Sequence, residues 1–501
     1  MFRILNADLT PHAHLRFIKG KAQVKYLQVR DKRFAYDANS MCALELDPLL
    51  ADQLKSQEGS QGFNGMIYSD RIPQHPCAHT DIQFLVLCVT RRCNLDCRYC
   101  FVSTLYDEAS HDMVMDMDTE TAKKAIKAIF DRVGAPRIRV GFFGGEPLLN
   151  KKLIHEIVPW AKGYAEERKK QIGFSCTTNA TEMDVATARL FSDNDFSLII
   201  SMDGHEKIHD DWRPFKEGKA GSFQATVKGI ETLAHAGYPM RRITLRGTYT
   251  GEGVDMMERV PYMIETFVDK GMAGHVSVEP SCLTESSCAG VPDTSTMAFK
   301  QDQLKPLFEK EYERLADYFV DRLRSGKSIP FHHLLVPMQR IFWGVHSPSE
   351  CGAGKGYCDV SPEGDIYPCH REHGDPIGSI HNEGIDESLR VQWMDNRYYT
   401  RTTCPKCWMR NVCGGGCRMD SIISSGDLHT PDPITCWFKK QFLRNALWIL
   451  SMVPHDRLMQ LLPNPKKKRD GRFTPRPNQK PGQCQAPPQN RKPRIDEGGW
   501  F

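Results

Sequence analysis

Three cysteines stand close together after an apolar run near residue 90, and no other feature of the sequence limits the fold and chemistry as strongly. Cys93, Cys97 and Cys100 form a C-x3-C-x2-C triplet that follows the segment FLVLCVT, and Tyr99 precedes the last of them. Three thiolates at these spacings can bind three irons of a cubane [4Fe–4S] cluster and leave the fourth iron free. Zinc sites, the main alternative, usually pair cysteines as C-x2-C with a distant second pair. The triplet therefore indicates an iron–sulfur cluster with one open iron.

The cysteine content points to a reducing compartment. The chain has 501 residues, enough for two or three domains, and 18 cysteines, most of them at short spacings. Thiols clustered in this way ligate metals rather than pair as disulfides. The segment MFRILNADLTPHAHLRFIKG lacks the charged start and apolar core of a signal peptide, and no apolar run approaches the roughly 20 residues that span a bilayer. We therefore expect a cytoplasmic protein without a membrane partner.

The net charge of +4 is unevenly distributed. Residues 463–501 contain ten Lys or Arg against three acidic residues, so the rest of the chain is about three charges negative. This balance argues against a general nucleic-acid binder. The basic tail is rich in Pro, Gln and Asn and is expected to be disordered. It either contacts an acidic partner or is simply solvated.

From Gln83 onwards, short apolar segments alternate with longer amphipathic ones. The apolar segments predict six strands, at Phe84–Val89, Ile138–Phe143, Ile172–Thr178, Phe196–Met202, Ile243–Tyr249 and Val276–Glu279. Helical segments, such as the one from Asp118, separate them. Six β/α units in succession indicate an α/β fold with a parallel sheet, which we expect to form a partial (β/α)6 barrel of the TIM type.

The composition changes along the chain and divides it into segments. We expect an N-terminal module at 1–79, the partial barrel at 80–300, a helical linker at 301–345, a cysteine-rich domain at 346–450 and the basic tail at 463–501.

Polar and glycine-rich motifs follow the second, third and fourth predicted strands. They are Gly144-Gly145-Glu146-Pro147, then Asn179 after Thr178, then Ser201, Asp203 and Arg213. Ligands of parallel barrels lie at the carboxyl ends of strands. Glycines expose the backbone to a ligand, a carboxylate can hold an ammonium group, and an arginine offers a bidentate fork to a carboxylate. For Asn179 and Asp203, a role as turn residues at the strand ends is the alternative.

A second group of cysteines lies in the C-terminal part. Cys351 and Cys369 flank Gly364 in a C-x(9–15)-G-x4-C pattern. The remaining members are Cys404, Cys407, Cys413, Cys417 and Cys436. Their short spacings suit thiolate ligation of further clusters.

Together, these motifs resemble the radical S-adenosylmethionine (radical SAM) enzymes that carry a C-terminal SPASM domain. The resemblance covers roughly residues 80–450 and implies three [4Fe–4S] clusters, one that binds SAM and two auxiliary ones. It implies that the Gly144–Pro147 motif binds the amino group of SAM and that Ser201 and Arg213 hold its carboxylate. It also implies that the enzyme generates a 5′-deoxyadenosyl radical, which removes a hydrogen atom from an unactivated carbon.

The resemblance further implies how the auxiliary ligands divide. The first auxiliary cluster would take Cys351, Cys369 and Cys417, with Cys358 as its fourth ligand. The second would take the four thiols of Cys404, Cys407, Cys413 and Cys436. If Cys358 does not ligate, one iron is open and can bind a thiolate of the substrate, which places that sulfur for coupling to a carbon radical.

The family resemblance leaves the reaction open between two kinds of protein modification. Members of this group either install thioether or carbon–carbon cross-links in peptides, or act as oxidative maturases of proteins, such as those that convert a Cys or Ser of sulfatases to formylglycine. The sulfatase maturases carry an Asp directly after the second cysteine of C-x(9–15)-G-x4-C, where this chain has His370. The stretch CGAGKGYCDVSPEGDIYPCHR is more similar to thioether-forming maturases. His370 is a candidate catalytic base because imidazole titrates near neutrality, and a surface histidine beside a cluster is the alternative.

The expected partners depend on the same resemblance. We expect a peptide or protein substrate, with a leader sequence that the N-terminal module binds as an added strand, and a one-electron reductant such as flavodoxin or ferredoxin. A hairpin that merely covers the base of the barrel explains the N-terminal strands equally well. A non-catalytic iron–sulfur electron carrier is the third hypothesis, but it would leave the Gly144–Pro147 motif, Ser201 and Arg213 without a task.

Overall fold

The predicted strand and helix pattern is found in a computed structural model. It describes residues 2–5, 24–38, 41–49, 51, 81–100, 114–132, 134–218, 220–250, 255–280, 301–372, 374–382, 384–394 and 397–465. The disordered tail predicted from 463 therefore lies almost wholly outside the described residues, as does most of the N-terminal module. None of the described helices is long and apolar enough to cross a membrane.

The strands are β1 Phe2–Ile4, β2 Val24–Val29, β3 Lys32–Asp37, β4 Ala43–Leu46, β5 Phe84–Thr90, β6 Arg137–Gly144, β7 Gln171–Thr178, β8 Ser197–Ser201, β9 Ile243–Tyr249, β10 His275–Pro280, β11 Tyr357–Val360, β12 Asp365–Tyr367, β13 Gly378–Ser379 and β14 Gly384–Ile385. The α-helices are α1 Thr119–Arg132, α2 Lys151–Glu167, α3 Val185–Asp193, α4 Glu206–Trp212, α5 Phe223–His235, α6 Met256–Met263, α7 Gln301–Arg324, α8 His332–Trp343, α9 Glu387–Met394, α10 Arg410–Cys413, α11 Arg418–Ser425, α12 Pro433–Met452 and α13 His455–Leu461.

Strands β5 to β10 form the parallel sheet that the sequence predicts. Each pairs in parallel with the next, in the spatial order β10-β9-β8-β7-β6-β5. One face is apolar and fully covered, with Val140, Phe174 and Leu198 almost completely buried. The other face carries smaller or polar residues that are only partly buried, such as Ser175 and Ser201. The fold is therefore α/β, with the helix-covered face outside and the polar face turned into the barrel.

The cysteine-rich segment extends this same sheet. Strand β11 pairs in parallel with β5, and β12, β13 and β14 continue as an antiparallel meander. Arg91, which follows β5, forms a bidentate ion pair with Glu363 in the β11–β12 turn. The loop that carries the first cysteine triplet is thus tied directly to the C-terminal cysteine segment.

A separate antiparallel sheet contains the N-terminal strands in the order β1-β4-β3-β2. Its Tyr36 packs edge-on against Trp408, with ring centroids 5.8 Å apart, and the Ala38 carbonyl accepts a 2.7 Å hydrogen bond from Asn411. Arg30 lies over the Trp448 ring of α12 at 4.4 Å. In the described residues this sheet therefore packs on the C-terminal cysteine segment and on α12.

Candidate functional site

The first cysteine triplet lies in the loop after β5. The loop is closed by a hydrogen bond from the Cys100 N–H to the Cys97 carbonyl, 3.0 Å, and the Leu95 N–H points at Cys93 Sγ from 3.4 Å. Burial raises the pKa of the Cys93 thiol to about 12 and that of Cys97 further. Buried thiols of this kind become thiolates when a metal replaces the proton.

The paired glycines of the Gly144–Pro147 motif pack directly against this loop. The Gly145 N–H donates to the Thr90 carbonyl and the Glu146 N–H to the Arg92 carbonyl, both at 2.8 Å. A Cβ at Gly144 would lie 2.0 Å from the Thr90 oxygen, and one at Gly145 would lie 2.2 Å from the Arg92 oxygen. Only glycine fits at either position, so the two motifs that the sequence singles out form one unit.

Glu146 is buried and holds the ends of β6 and β7 together. Its Oε1 accepts hydrogen bonds from the Leu148 N–H and from Thr178 Oγ1, and its Oε2 accepts one from the Asn179 N–H at 2.7 Å. Burial raises the pKa of Glu146 to about 7. A carboxylate has about four acceptor positions, so one remains on Oε2 for a further donor such as an ammonium group. Pro147 begins the short helix Pro147–Asn150 that follows.

Asn179 braces the cysteine loop from the end of β7. Its Nδ2 donates to Asn94 Oδ1 at 3.0 Å, and its Oδ1 accepts from the Thr181 N–H and hydroxyl. Asn94 in turn donates to Thr181 Oγ1 at 2.8 Å. The Asn179 side chain therefore takes the turn role after β7 that the sequence offered as an alternative, and it also braces the loop between Cys93 and Cys97.

Asp203 and Arg213 form a buried ion pair beside the triplet. Arg213 Nε lies 3.1 Å from Asp203 Oδ2, which also accepts a hydrogen bond from the Tyr99 hydroxyl. Arg213 Nη1 lies 3.8 Å from Cys97 Sγ. The Thr248 N–H holds Asp203 Oδ1 at 2.8 Å. Within the described residues no hydrogen bond engages Arg213 Nη2, so that amino group keeps its donors for a carboxylate.

Ser201 ends β8 on the polar inner face of the barrel. It is partly buried, and its register partner on β9 is Arg246. Of the residues predicted to contact SAM, Gly145, Glu146, Asn179 and Arg213 contact the cysteine loop directly.

The C-terminal thiols gather in two groups. In the first, burial raises the pKa of Cys369 well above its ordinary value, and the neighbouring thiols of Cys351 and Cys417 raise it further. In the second, burial and the thiols of Cys413, Cys436 and Cys407 raise the pKa of Cys404 to about 12. Among the described residues, Cys351 and Cys417 thus lie near Cys369, and Cys407, Cys413 and Cys436 lie near Cys404; their division between two clusters stays a prediction.

Cys358 and its neighbour Tyr357 lie on opposite faces of β11. Tyr357 points toward His370, and successive side chains of a strand point to opposite faces. Burial and then Asp359 raise the pKa of the Cys358 thiol, and Arg390 lowers it. Cys358 is packed in the core at 0% exposure. The structure does not place it with Cys351, Cys369 and Cys417.

Arg371 contacts two thiols of the first group. Its N–H points at Cys369 Sγ from 3.4 Å, and its Nη1 lies 3.5 Å from Cys417 Sγ. An ion pair with Asp420, 2.7 Å, fixes the guanidinium. Hydrogen bonds to cluster sulfurs influence the reduction potential of a cluster. Arg371 was not among the residues predicted from the sequence, although its position two residues after Cys369 is a usable signal.

His370 lies between the first auxiliary group and the barrel. Its Nδ1 is hydrogen-bonded to the Tyr357 hydroxyl, which also accepts from the His370 N–H at 3.0 Å. Its ring lies 4.8 Å from that of Phe143, the residue before Gly144. His370, which follows Cys369 in the chain, therefore contacts the residue that precedes the Gly144–Pro147 motif.

The candidate cluster ligands share one donor chemistry. The described part of the chain contains no group of three or more His, Cys, Asp or Glu side chains arranged to hold a single metal ion. The donor set is thiolate throughout, which suits iron–sulfur clusters.

Comparison with known proteins agrees with this geometry. Residues 87–260 match the family model described as Radical SAM superfamily. An uncharacterised protein of Methanocaldococcus jannaschii is 34% identical over 184 residues, which make up 36% of this chain and 59% of that protein. A cysteine-type anaerobic sulfatase-maturating enzyme of Clostridium novyi is 23% identical over 385 residues, 74% of this chain and 97% of that enzyme.

A solved structure shares the fold. Native anSMEcpe with bound AdoMet superposes with a TM-score of 0.59 at 20% identity, covering 74% of this chain and 97% of that one. Residues 87–260 thus form a radical SAM domain, and the curated relatives of the chain include an anaerobic sulfatase-maturating enzyme.

Proposed function

We propose that this radical SAM protein is a maturase that joins the sulfur of a cysteine in a peptide or protein substrate to an unactivated carbon, forming a thioether. The placement of Cys358 carries the proposal. The thiols of Cys351 and Cys417 lie near Cys369, whereas Cys358 and Tyr357, which contacts His370, point to opposite faces of β11. A cluster held by the first three thiolates would keep one iron for a substrate thiolate.

The cofactor assignments remain those implied by the family. Cys93, Cys97 and Cys100 would hold the SAM-binding cluster, Glu146 Oε2 the amino group of SAM, and Ser201 with Arg213 Nη2 its carboxylate. The second auxiliary cluster would take Cys404, Cys407, Cys413 and Cys436. When bound, SAM and the clusters supply a 5′-deoxyadenosyl radical that removes one hydrogen atom and an acceptor for one further electron.

The chain's own residues supply orientation and a proton acceptor. Thioether formation removes a hydrogen atom from carbon, a proton from the thiol and one electron. His370 Nε2 is the candidate proton acceptor, which requires that Nδ1–H donates to the Tyr357 hydroxyl oxygen. Arg371 orients the sulfurs of Cys369 and Cys417 beside it.

The remaining segments complete the proposed architecture. Residues 1–79 would form a peptide-recognition module, 301–345 a helical linker and 346–450 the SPASM domain. The N-terminal sheet packs on the loop around Trp408, so a peptide added to that sheet would lie beside the auxiliary clusters. A flavodoxin or ferredoxin would supply the electron.

Mass spectrometry of the product tests this function. The chain is co-expressed anaerobically with a library of cysteine-containing peptides, beside a Cys93/Cys97/Cys100→Ala control. We expect peptides that lose two hydrogen atoms and whose cysteine no longer reacts with iodoacetamide, and none of them in the control. If the cysteine of every peptide in the library stays alkylatable, the proposal is refuted.

Formylglycine formation is the second candidate, favoured by the likeness to the sulfatase-maturating enzyme over 97% of that enzyme. Its product carries an aldehyde that reacts with a hydrazide reagent. A hydrazide-reactive product in place of the alkylation-resistant one would establish this function and exclude the thioether.

A further inference from the structure

One arginine on the inner face of the barrel is not among the residues assigned so far. Arg246 lies in the middle of β9, level with Ser201 on β8 and Ser277 on β10. Its chain neighbours Leu245 and Gly247 are buried, whereas the Arg246 side chain is 47% exposed. Alternation along the strand therefore turns Arg246 into the open interior.

The Arg246 guanidinium has no hydrogen bond among the described residues. Its one ion-pair neighbour there is Glu279 Oε1, at 3.7 Å. That oxygen already accepts from the Ser277 hydroxyl at 2.8 Å and lies 3.1 Å from His333 Nε2. His333 and Arg246 together hold the pKa of Glu279 well below its usual range despite burial, so Glu279 stays charged.

Glu279 thus stabilises the position of Arg246 without occupying its donors. His333 is itself fixed by stacking on Phe442, with centroids 5.0 Å apart. A guanidinium that makes no hydrogen bond among the described residues, faces the barrel interior and is flanked by two serines is suited to bidentate binding of a carboxylate. Arg213 differs, since its guanidinium is buried against Asp203.

We propose that Arg246 is a specificity residue that binds an acidic side chain, Asp or Glu, of the substrate inside the barrel. This inference rests on the proposed function, because it requires a peptide to enter the interior. Because Arg246 lies beside Ser201, the bound acidic residue would lie near the SAM site. Arg246 would thereby fix which carbon of the peptide faces that site. The other source of a carboxylate at this place is SAM itself.

Peptide binding to the reconstituted full chain tests the proposal. The probes are fluorescein-labelled hexapeptides of Gly and Ser with one Cys, in which one Asp is moved through the other positions, each with an Asn counterpart. Anisotropy is measured for wild type, Arg246→Met and the control Arg241→Met, with and without saturating SAM. Arg241 is an exposed arginine just before the amino end of β9, so its substitution makes the same change in charge outside the barrel.

We expect one Asp peptide to bind wild type and Arg241→Met about tenfold more tightly than its Asn counterpart, about 1.4 kcal/mol, and Arg246→Met to lose this preference. The preference should persist in saturating SAM. Absence of any Asp preference in wild type, or its survival in Arg246→Met, overturns the proposal. The proposal is also overturned if Arg246→Met binds SAM more weakly in calorimetry while its peptide preference is unchanged. In that case the carboxylate bound by Arg246 would be that of SAM.

The two proposals fail separately. An alkylation-resistant product without an Asp preference removes the Arg246 assignment alone. An Asp preference with no thioether product keeps the binding site and removes the proposed reaction.

Discussion

A single methyl group at Gly145 should separate the two motifs that build the SAM-binding site. The Cβ of Gly145→Ala would lie 2.2 Å from the Arg92 oxygen and 2.8 Å from the Arg91 oxygen, whereas ordinary contacts begin at 3.4 Å. Both obstacles are backbone atoms, so the loop before Cys93 must move by more than 1 Å at its closest point. Such a shift breaks the hydrogen bonds to the Thr90 and Arg92 carbonyls.

The size of the effect follows from these contacts. Two backbone hydrogen bonds contribute about 1 kcal/mol each, and overpacking adds about 1–3 kcal/mol, so Gly145→Ala should lower the free energy of unfolding by about 3 kcal/mol. Because the displaced loop carries Cys93, the variant should also lose the four irons of one cluster. Urea unfolding of the apoprotein and iron content of the reconstituted protein measure the two effects.

Gly163→Ala is the matched control. Gly163 lies within α2, and a Cβ at this position would have nothing within 4 Å, so alanine there should be neutral or stabilising by up to about 1 kcal/mol. If Gly145→Ala keeps both the full iron content and the unfolding free energy of Gly163→Ala, the packing argument is wrong.

Three further substitutions test the electrostatics of the fold by urea unfolding. Burial lowers the pKa of His209 from 6.5 to about 4, so the unfolded chain binds a proton first as the pH falls. The unfolding free energy should therefore drop by about 3 kcal/mol between these pH values, and His209→Gln should remove this pH dependence. Burial alone would raise the pKa of Asp184, but its hydrogen bonds, including the one from the Thr187 N–H at the start of α3, lower it to about 2. Asp184→Ala should therefore cost about 1 kcal/mol at pH 7, a difference that disappears below about pH 2. Asp203→Ala leaves Arg213 as a buried unpaired charge and should cost about 3–5 kcal/mol; a loss under 1 kcal/mol would contradict the pairing.

The barrel strands could be predicted because their sequence pattern and their burial have the same cause. Strand β9 spans Ile243–Tyr249 as predicted, and each of the other five differs from its prediction by one residue at one or both ends. Apolar residues on the helix-covered face give each strand a recognisable run, while Gly, Pro and polar residues mark its ends.

The roles of individual motif residues could not be read in the same way. Spacing identified Glu146 as a candidate ligand of an ammonium group, but not that its carboxylate also joins β6 to β7 through three hydrogen bonds. Spacing likewise cannot tell which face of a strand Cys358 occupies, because that depends on the pairing of β11 with β5. These contacts join residues far apart in sequence.

Arg246 was overlooked although a local signal exists. In β9, Thr244, Arg246 and Thr248 alternate with Ile243, Leu245 and Gly247. A strand with one apolar and one polar face predicts a polar interior, and a charged residue in its middle marks a position for a ligand.

Iron and sulfide content, measured with 5′-deoxyadenosine formation on anaerobically reconstituted protein, tests the central claim most directly. Wild type should bind about twelve irons and Cys93/Cys97/Cys100→Ala about eight, since each cubane holds four, and only wild type should form 5′-deoxyadenosine from SAM. Cys358→Ala should keep all three clusters. About four irons in wild type and none in the triple variant would contradict the auxiliary assignment, and a fully loaded, reduced wild type that leaves SAM intact in the presence of the cysteine peptides would contradict the radical function.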